Sequence, residues 1–303
     1  MSKTSYLNPL TDFGFKKLFG TEPNKELLRD FLNTVLPEQH HIISLEYGKH
    51  EHLGRTPVDR KAVFDLYCKN QDGEHFIVEI QKAKQLYFKD RSIYYTTFPI
   101  QEQAEQGDWN YRLTAVYTVS LLDFIFDDDE DGDMIQYVQL RTHRNKLFWN
   151  KMMLIYIQLP MFHKKISELE DHSDKWFYLL RHLPSINKPP EGFDSDVFGQ
   201  LFHAAALSEL SESEQHDYHQ SLKAYRDWRN ILETSQQEAR EAGRAQGIVE
   251  GRAEGRAEGR AEGKTEGQQQ QTYHLAHQFK LQGVDIATIQ KATGLSLEEI
   301  EGL

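Results

Sequence analysis

Two apolar stretches, each carrying one acidic residue and joined by a tight-turn sequence, constrain this chain more than any other feature. They are Ala62-Val63-Phe64-Asp65-Leu66-Tyr67-Cys68 and His75-Phe76-Ile77-Val78-Glu79-Ile80, with Asn70-Gln71-Asp72-Gly73 between them. An Asp-Gly step between two apolar runs predicts a β-hairpin. A carboxylate in a buried strand is costly unless it is paired, protonated or bound to a metal. With the turn at Asn70 to Gly73, Asp65 and Glu79 fall nearly opposite one another. Gln81 lies two residues beyond Glu79 and so points to the same sheet face.

Two carboxylates and a main-chain carbonyl, that of Ile80, suit Mg²⁺ or Mn²⁺, hard ions that take oxygen ligands and keep several waters. One such water can be activated for attack on a phosphodiester. Gln81 can orient that water or a phosphate oxygen, but an amide is not a base. The competing reading makes Asp65 and Glu79 half-exposed strand residues on a solvated face, and spacing alone does not separate the two.

The rest of the chain supplies the context. Thr11 to Leu36 has apolar residues at three- and four-residue steps, broken by Gly20 and Pro23, and so predicts two helices. Strands are expected at Ile42 to Tyr47, Ala62 to Cys68 and His75 to Ile80. A helix over Leu86 to Gln106, ended by Gly107, should follow. Further strands are expected at Leu113 to Phe126, Met134 to Leu140 and Met152 to Leu159. Helices, three strands, a helix and a strand define an α/β or α+β class. Ser167 to Leu232 is richer in helix signals. The expected organisation is a core over 1–165, a helical extension packed on it over 166–235, a Gly/Arg/Ala/Glu repeat spacer over 236–271 and a small helical unit over 272–303.

Composition narrows the setting. The 303 residues are 39% hydrophobic and include one cysteine, Cys68, so no intrachain disulfide can form. The N-terminus lacks an apolar stretch of signal-peptide length, and no apolar run is long enough for a membrane span. A soluble, cytoplasmic protein without membrane contact is expected. The net charge of −12 opposes phosphate binding unless a local basic surface exists.

Several stretches carry a resemblance to a known family. They are Leu10-Thr11-Asp12-Phe13-Gly14-Phe15-Lys16-Lys17-Leu18-Phe19, Val63 to Cys68, Gly73 to Gln81, Lys89-Asp90-Arg91-Ser92-Ile93-Tyr94-Tyr95 and Gln103-Ala104-Glu105-Gln106-Gly107. In this order, over roughly residues 8 to 125, they resemble the Rpn-like recombination-promoting nuclease and transposase family of the PD-(D/E)XK superfamily. The resemblance implies a restriction-endonuclease-like core, a mixed β-sheet flanked by helices in αβββαβ order, with a helical C-terminal extension. It also implies divalent-metal dependence and DNA as the substrate. Asp65 and Glu79 become metal ligands, and Gln81 occupies the superfamily's lysine position.

A local basic surface is present at Lys82, Lys84, Lys89 and Arg91, expected at the mouth of the site and suited to backbone phosphates. Arg91 and Tyr95 are one helical turn apart and can both face the site. Asp12 is either a third acidic site residue or, preferably, the N-cap of the first helix. Asp127 to Gly132 begins like a calcium loop, but Val138 stands where the bidentate Glu belongs, so an acidic solvated turn is expected. The 14 histidines, His40-His41 and His50 to His52 included, show no zinc spacing. In the GRAEGRAEGRAEG repeat, each Gly costs a helix about 1 kcal/mol relative to Ala, and like charges recur at i,i+4. A partly helical, mobile spacer is expected there. Ser296-Leu297-Glu298-Glu299 reads as a capping box in a small helix-turn-helix, too acidic for a groove reader and better suited to packing or self-association. The leading function is a Mg²⁺-dependent DNA endonuclease, linked to recombination or mobile elements and without an organic cofactor. Cutting both strands at once would require a homo-oligomer. The alternative is a catalytically weak nuclease fold that binds DNA or protein.

Overall fold

The computed structural model describes residues 5–37, 40–48, 51–52, 62–104, 110–127 and 132–303. The expected helix end at Gly107, the acidic turn over Asp128 to Asp131 and His50 lie outside the described residues. The chain forms two compact units, Met1–Asp227 and Trp228–Leu303.

The first unit opens with α1 (Asp12–Phe19) and α2 (Lys25–Val35), as their apolar spacing predicts. The cap of α1 differs from expectation. Thr11, not Asp12, is the N-cap, and its hydroxyl accepts the Gly14 N–H at 3.0 Å. Thr11 has the shorter side chain, fully buried, while Asp12 occupies the first helical position and pairs with Lys16 at 3.0 Å.

The strands are β1 (Leu45–Tyr47), β2 (Glu51–His52), β3 (Ala62–Val63), β4 (Leu66–Asn70), β5 (His75–Gln81), β6 (Val116–Leu122), β7 (Ile135–Arg141) and β8 (Leu147–Gln158). Six of them form one mixed sheet in the order β1-β4-β5-β6-β8-β7, and β2 and β3 pair separately. The sequence predicts one strand from Ala62 to Cys68, but the chain bends at Asp65 and splits it into β3 and β4. The physical reason is a side chain acting as a main-chain acceptor. Asp65 Oδ2 takes the Ile80 N–H at 2.9 Å, a substitution for ladder bonding that short polar side chains favour.

Helix α3 (Phe88–Glu102) connects β5 to β6, which run parallel. It covers the sheet face bearing alternate residues of β5 and β6, with Thr96 bonded to Thr118 at 2.8 Å and Ser92 to Tyr156 at 2.6 Å. The opposite face buries Phe76, Val78 and Ile80 of β5 against a large apolar core. Helices α1, α2, α4 (His172–His182) and α5 (Asp196–Ala205) supply the other side of that core, with Trp176 fully buried. Helix α6 (Glu212–Leu281) begins in this unit. Tyr218 accepts the Asn8 N–H at 3.0 Å, and Tyr225 donates to Asp123 at 2.7 Å.

In the second unit, α6 continues unbroken through the glycine repeat, where a partly helical segment was expected. Ala, Arg and Glu are strong helix formers, and Gln246 donates to Glu250 one turn on at 2.8 Å. The unit ends with α7 (Ile286–Thr293) and α8 (Leu297–Glu301), packed around Ala276, Ile289 and Ile300. The expected Ser296–Glu299 capping box is formed, and Gly294 closes α7 in the left-handed conformation, φ 76°.

Candidate active site

The β4/β5 register pairs Leu66 with Val78. One residue further, across the bend, Asp65 stands beside Glu79. Strand parity directs Glu79 and Gln81 toward α3, while Ile80 and Lys82 follow the other face. Ile80 turns its N–H toward Asp65 and away from β6. Because a strand residue's N–H and C=O point the same way, its carbonyl is directed to that side as well. Register and strand direction thus put Asp65, Glu79 and the Ile80 carbonyl at neighbouring positions, where β4 begins and β5 ends.

The electrostatics of the pair reflect this crowding. Glu79 is 5% exposed, and burial, together with the charge of Asp65, pushes its carboxyl up to about 8, with Arg91 opposing the shift. Burial raises Asp65 as well, against the pull of the Ile80 N–H, and Asp12 adds to the rise. Two like charges in a dry site favour protonation of one of them until a cation arrives.

Arg91 of α3 lies within electrostatic reach of Glu79. Its guanidinium donates to Gln81 Oε1 and to Gln85 Oε1, each at 2.6 Å. It lies 5.4 Å from the ring centre of Phe88 and 5.7 Å from that of Tyr95. Its Nε is buried without a hydrogen-bond partner. Gln81 also donates to the Ala83 carbonyl at 2.7 Å, so both ends of its amide are engaged. Tyr95 faces the same cluster, its phenol raised by burial and by Glu79.

The other cations take separate places. Lys82 joins Asp12, Lys16, Lys17, Asp217 and Glu214 along a groove of about 640 Å³ between α1 and the start of α6. Burial draws its ammonium below the ordinary lysine range, while Asp12 and Asp65 pull the other way. Lys17 pairs with Glu214 at 2.5 Å. Lys84 pairs with Asp127. Lys89 rests over the Phe126 ring, 4.6 Å from its centre. Of the four expected phosphate contacts, the structure brings only Arg91 beside Glu79.

Sequence reasoning missed Ser120 and Gln85. Ser120 is the β6 partner of Glu79, and its fully buried hydroxyl has no hydrogen-bond partner. A lone serine inside Val116-Tyr117-Thr118-Val119-Ser120-Leu121-Leu122 was the available signal.

Among the described residues, no three His, Cys, Asp or Glu side chains gather at a metal-binding distance. An all-oxygen set of two carboxylates and one carbonyl nevertheless fits Mg²⁺, which takes one or two carboxylates and keeps water in its remaining positions. The unpartnered Ser120 hydroxyl and Arg91 Nε beside Glu79 leave polar groups for such waters or for a phosphate. The residues present fit a divalent cation.

A mixed sheet flanked by helices, with paired carboxylates across a hairpin, defines a restriction-endonuclease-like fold. The profile of the PD-(D/E)XK nuclease family transposases matches residues 9–235, and the chain belongs to that family. No curated protein and no solved structure gives a significant match. Among the described residues, no helix is long and apolar enough to cross a membrane.

Proposed function

We propose that the protein is a divalent-metal-dependent DNA endonuclease acting in recombination or on mobile elements. The observation that carries this reading is the Asp65–Glu79 pair, two raised carboxylates at the meeting of β4 and β5. Asp65, Glu79 and the Ile80 carbonyl would hold Mg²⁺ or Mn²⁺, which when bound would polarise the phosphate and supply a more acidic water. Hydrolysis adds one water across one P–O ester bond: its oxygen and one hydrogen end on phosphorus, and its other hydrogen ends on the leaving oxygen as that bond breaks. Gln81 lines the catalytic cluster, and Lys82, Lys84, Lys89 and Arg91 bind the DNA backbone, with Asp12 and Tyr95 as accessory residues.

The nuclease core occupies 1–165, with its helical extension over 166–235, the repeat spacer over 236–271 and the terminal helical unit over 272–303. The free, buried Cys68 suits a reducing cytoplasm. A homo-oligomer would bring two cores to one duplex.

Nicking of supercoiled plasmid, with Mg²⁺ or Mn²⁺ against EDTA, tests the reading. Cleavage that needs the metal and is lost in Asp65→Asn and Glu79→Gln is expected. The deep burial of Glu79, which opposes the charge a metal ligand needs, favours a second reading, a weak or inactive nuclease fold that binds DNA or protein. Retarded DNA with no cleavage at any pH would select it.

A further inference from the structure

We infer that Arg91 is a catalytic residue that contacts the scissile phosphate, and that Gln81 is the positioning residue that aims it. The inference rests on the nuclease reading above and assigns roles within that site.

Gln81 is poorly placed to handle a water or phosphate itself. Its Nε2 donates to the Ala83 carbonyl and its Oε1 accepts from Arg91. An amide held at both ends is a strut. What it supports is a guanidinium with four other neighbours. Gln85 accepts from the other terminal nitrogen, the rings of Phe88 and Tyr95 lie against it, and Glu79 lies within its field. Every contact fixes the plane of the fork. The Nε edge is buried and unsatisfied. A buried donor without an acceptor is costly, and a phosphate oxygen beside Glu79 would satisfy it.

A planar, always-charged fork recognises a phosphate by paired N–H···O bonds. Held rigidly before substrate arrives, it stabilises the charge that grows on the equatorial oxygens as the water attacks, without reorganisation at that moment.

The test compares steady-state nicking by the unmodified chain, Arg91→Ala, Arg91→Lys and Gln81→Ala, with the Mg²⁺-induced rise in Tm measured on each. Arg91→Ala should lower kcat by about 10²–10³-fold, as removal of a preorganised donor does, while KM changes little and the Mg²⁺ response survives. Added guanidinium should restore part of that kcat in Arg91→Ala, because the two rings leave a slot of its shape, and none in Glu79→Gln. Arg91→Lys keeps the charge but loses the fork and should remain impaired. Gln81→Ala should lower kcat less than Arg91→Ala does. Should Arg91→Ala fail to fold, Arg91→Lys and Gln81→Ala carry the test. A kcat within threefold of the unmodified value in those variants overturns the assignment and leaves the nuclease reading standing. Absence of metal-dependent cleavage by the unmodified chain overturns both.

Discussion

Asp65 and Ile80 are joined by a bond between side chain and main chain: Asp65 Oδ2 accepts the Ile80 N–H at 2.9 Å, at the point where the sheet ladder would otherwise continue. The bond leaves Oδ1 for another partner and ties the bend of the chain to the proposed ligand set. Asparagine at position 65 keeps a carbonyl oxygen for the Ile80 N–H and removes one of two crowded charges. Asp65→Asn should therefore abolish metal-dependent cleavage and melt at the same temperature as the unmodified protein, or slightly higher. Mg²⁺ should raise the Tm of the unmodified protein alone, since binding to the folded state stabilises it by mass action. Asp65→Ala should lose about 1–3 kcal/mol more, because the buried N–H is left unpaired. Thermal melts with and without Mg²⁺ decide this, and equal Mg²⁺ responses in both proteins would contradict it.

Glu79 should impose a pH dependence on stability. Its carboxyl ordinarily titrates near 4.5 and is pushed up to about 8 in the folded protein. Between those values the folded state retains a proton that the unfolded chain has released. Stability of the metal-free protein therefore falls as pH rises through that window, and the penalty is complete above about 8. Glu79→Gln removes it. The variant should melt about 2–4 °C or more above the unmodified protein near pH ~9, and not above it near pH 4.5. Metal binding requires the deprotonated form, so the Mg²⁺-induced rise in Tm should grow toward pH ~8. A Tm difference independent of pH would count against the shift.

Ser120 offers a test with the opposite sign from most buried substitutions. Its hydroxyl is unpaired in the metal-free protein, so Ser120→Ala removes an unsatisfied group and no hydrogen bond. The variant should melt at or above the unmodified protein. A loss of more than about 1 kcal/mol would mean that the hydroxyl has a partner in solution.

Removal of residues 236–303 should leave the first unit folded and still able to cleave in vitro. That unit ends at Asp227 and contains the sheet, α1 to α5 and the buried Tyr218 and Tyr225. The truncated protein should keep its Tm within about 2 °C. Collapse of solubility or a large drop in Tm would show that the tail supports the core.

The hairpin was legible because its signals are local. Alternating apolar residues, an Asp-Gly turn and two isolated carboxylates set the register that places Asp65 beside Glu79. The bend at Asp65 was not legible, because apolar patterning does not report a side chain that replaces a main-chain acceptor. The cap of α1 went to Thr11 since two cap-forming residues stand side by side, and only packing decides between them. Ser120 and Gln85 reach the site through the parallel pairing of β5 with β6 and through the turn before α3. Neither contact leaves a trace in spacing. The repeat was misjudged because the cost of its glycines was weighed without the helix-forming tendency of the residues between them.

The crossover from β5 through α3 to β6 also sets an order of assembly. The two carboxylates meet within a local hairpin, which closes early because its loop is short. Arg91 reaches them only after α3 has formed and β6 has docked alongside β5. The acidic pair thus rests on contacts between neighbours in sequence, and its cation on the long-range pairing of β5 with β6.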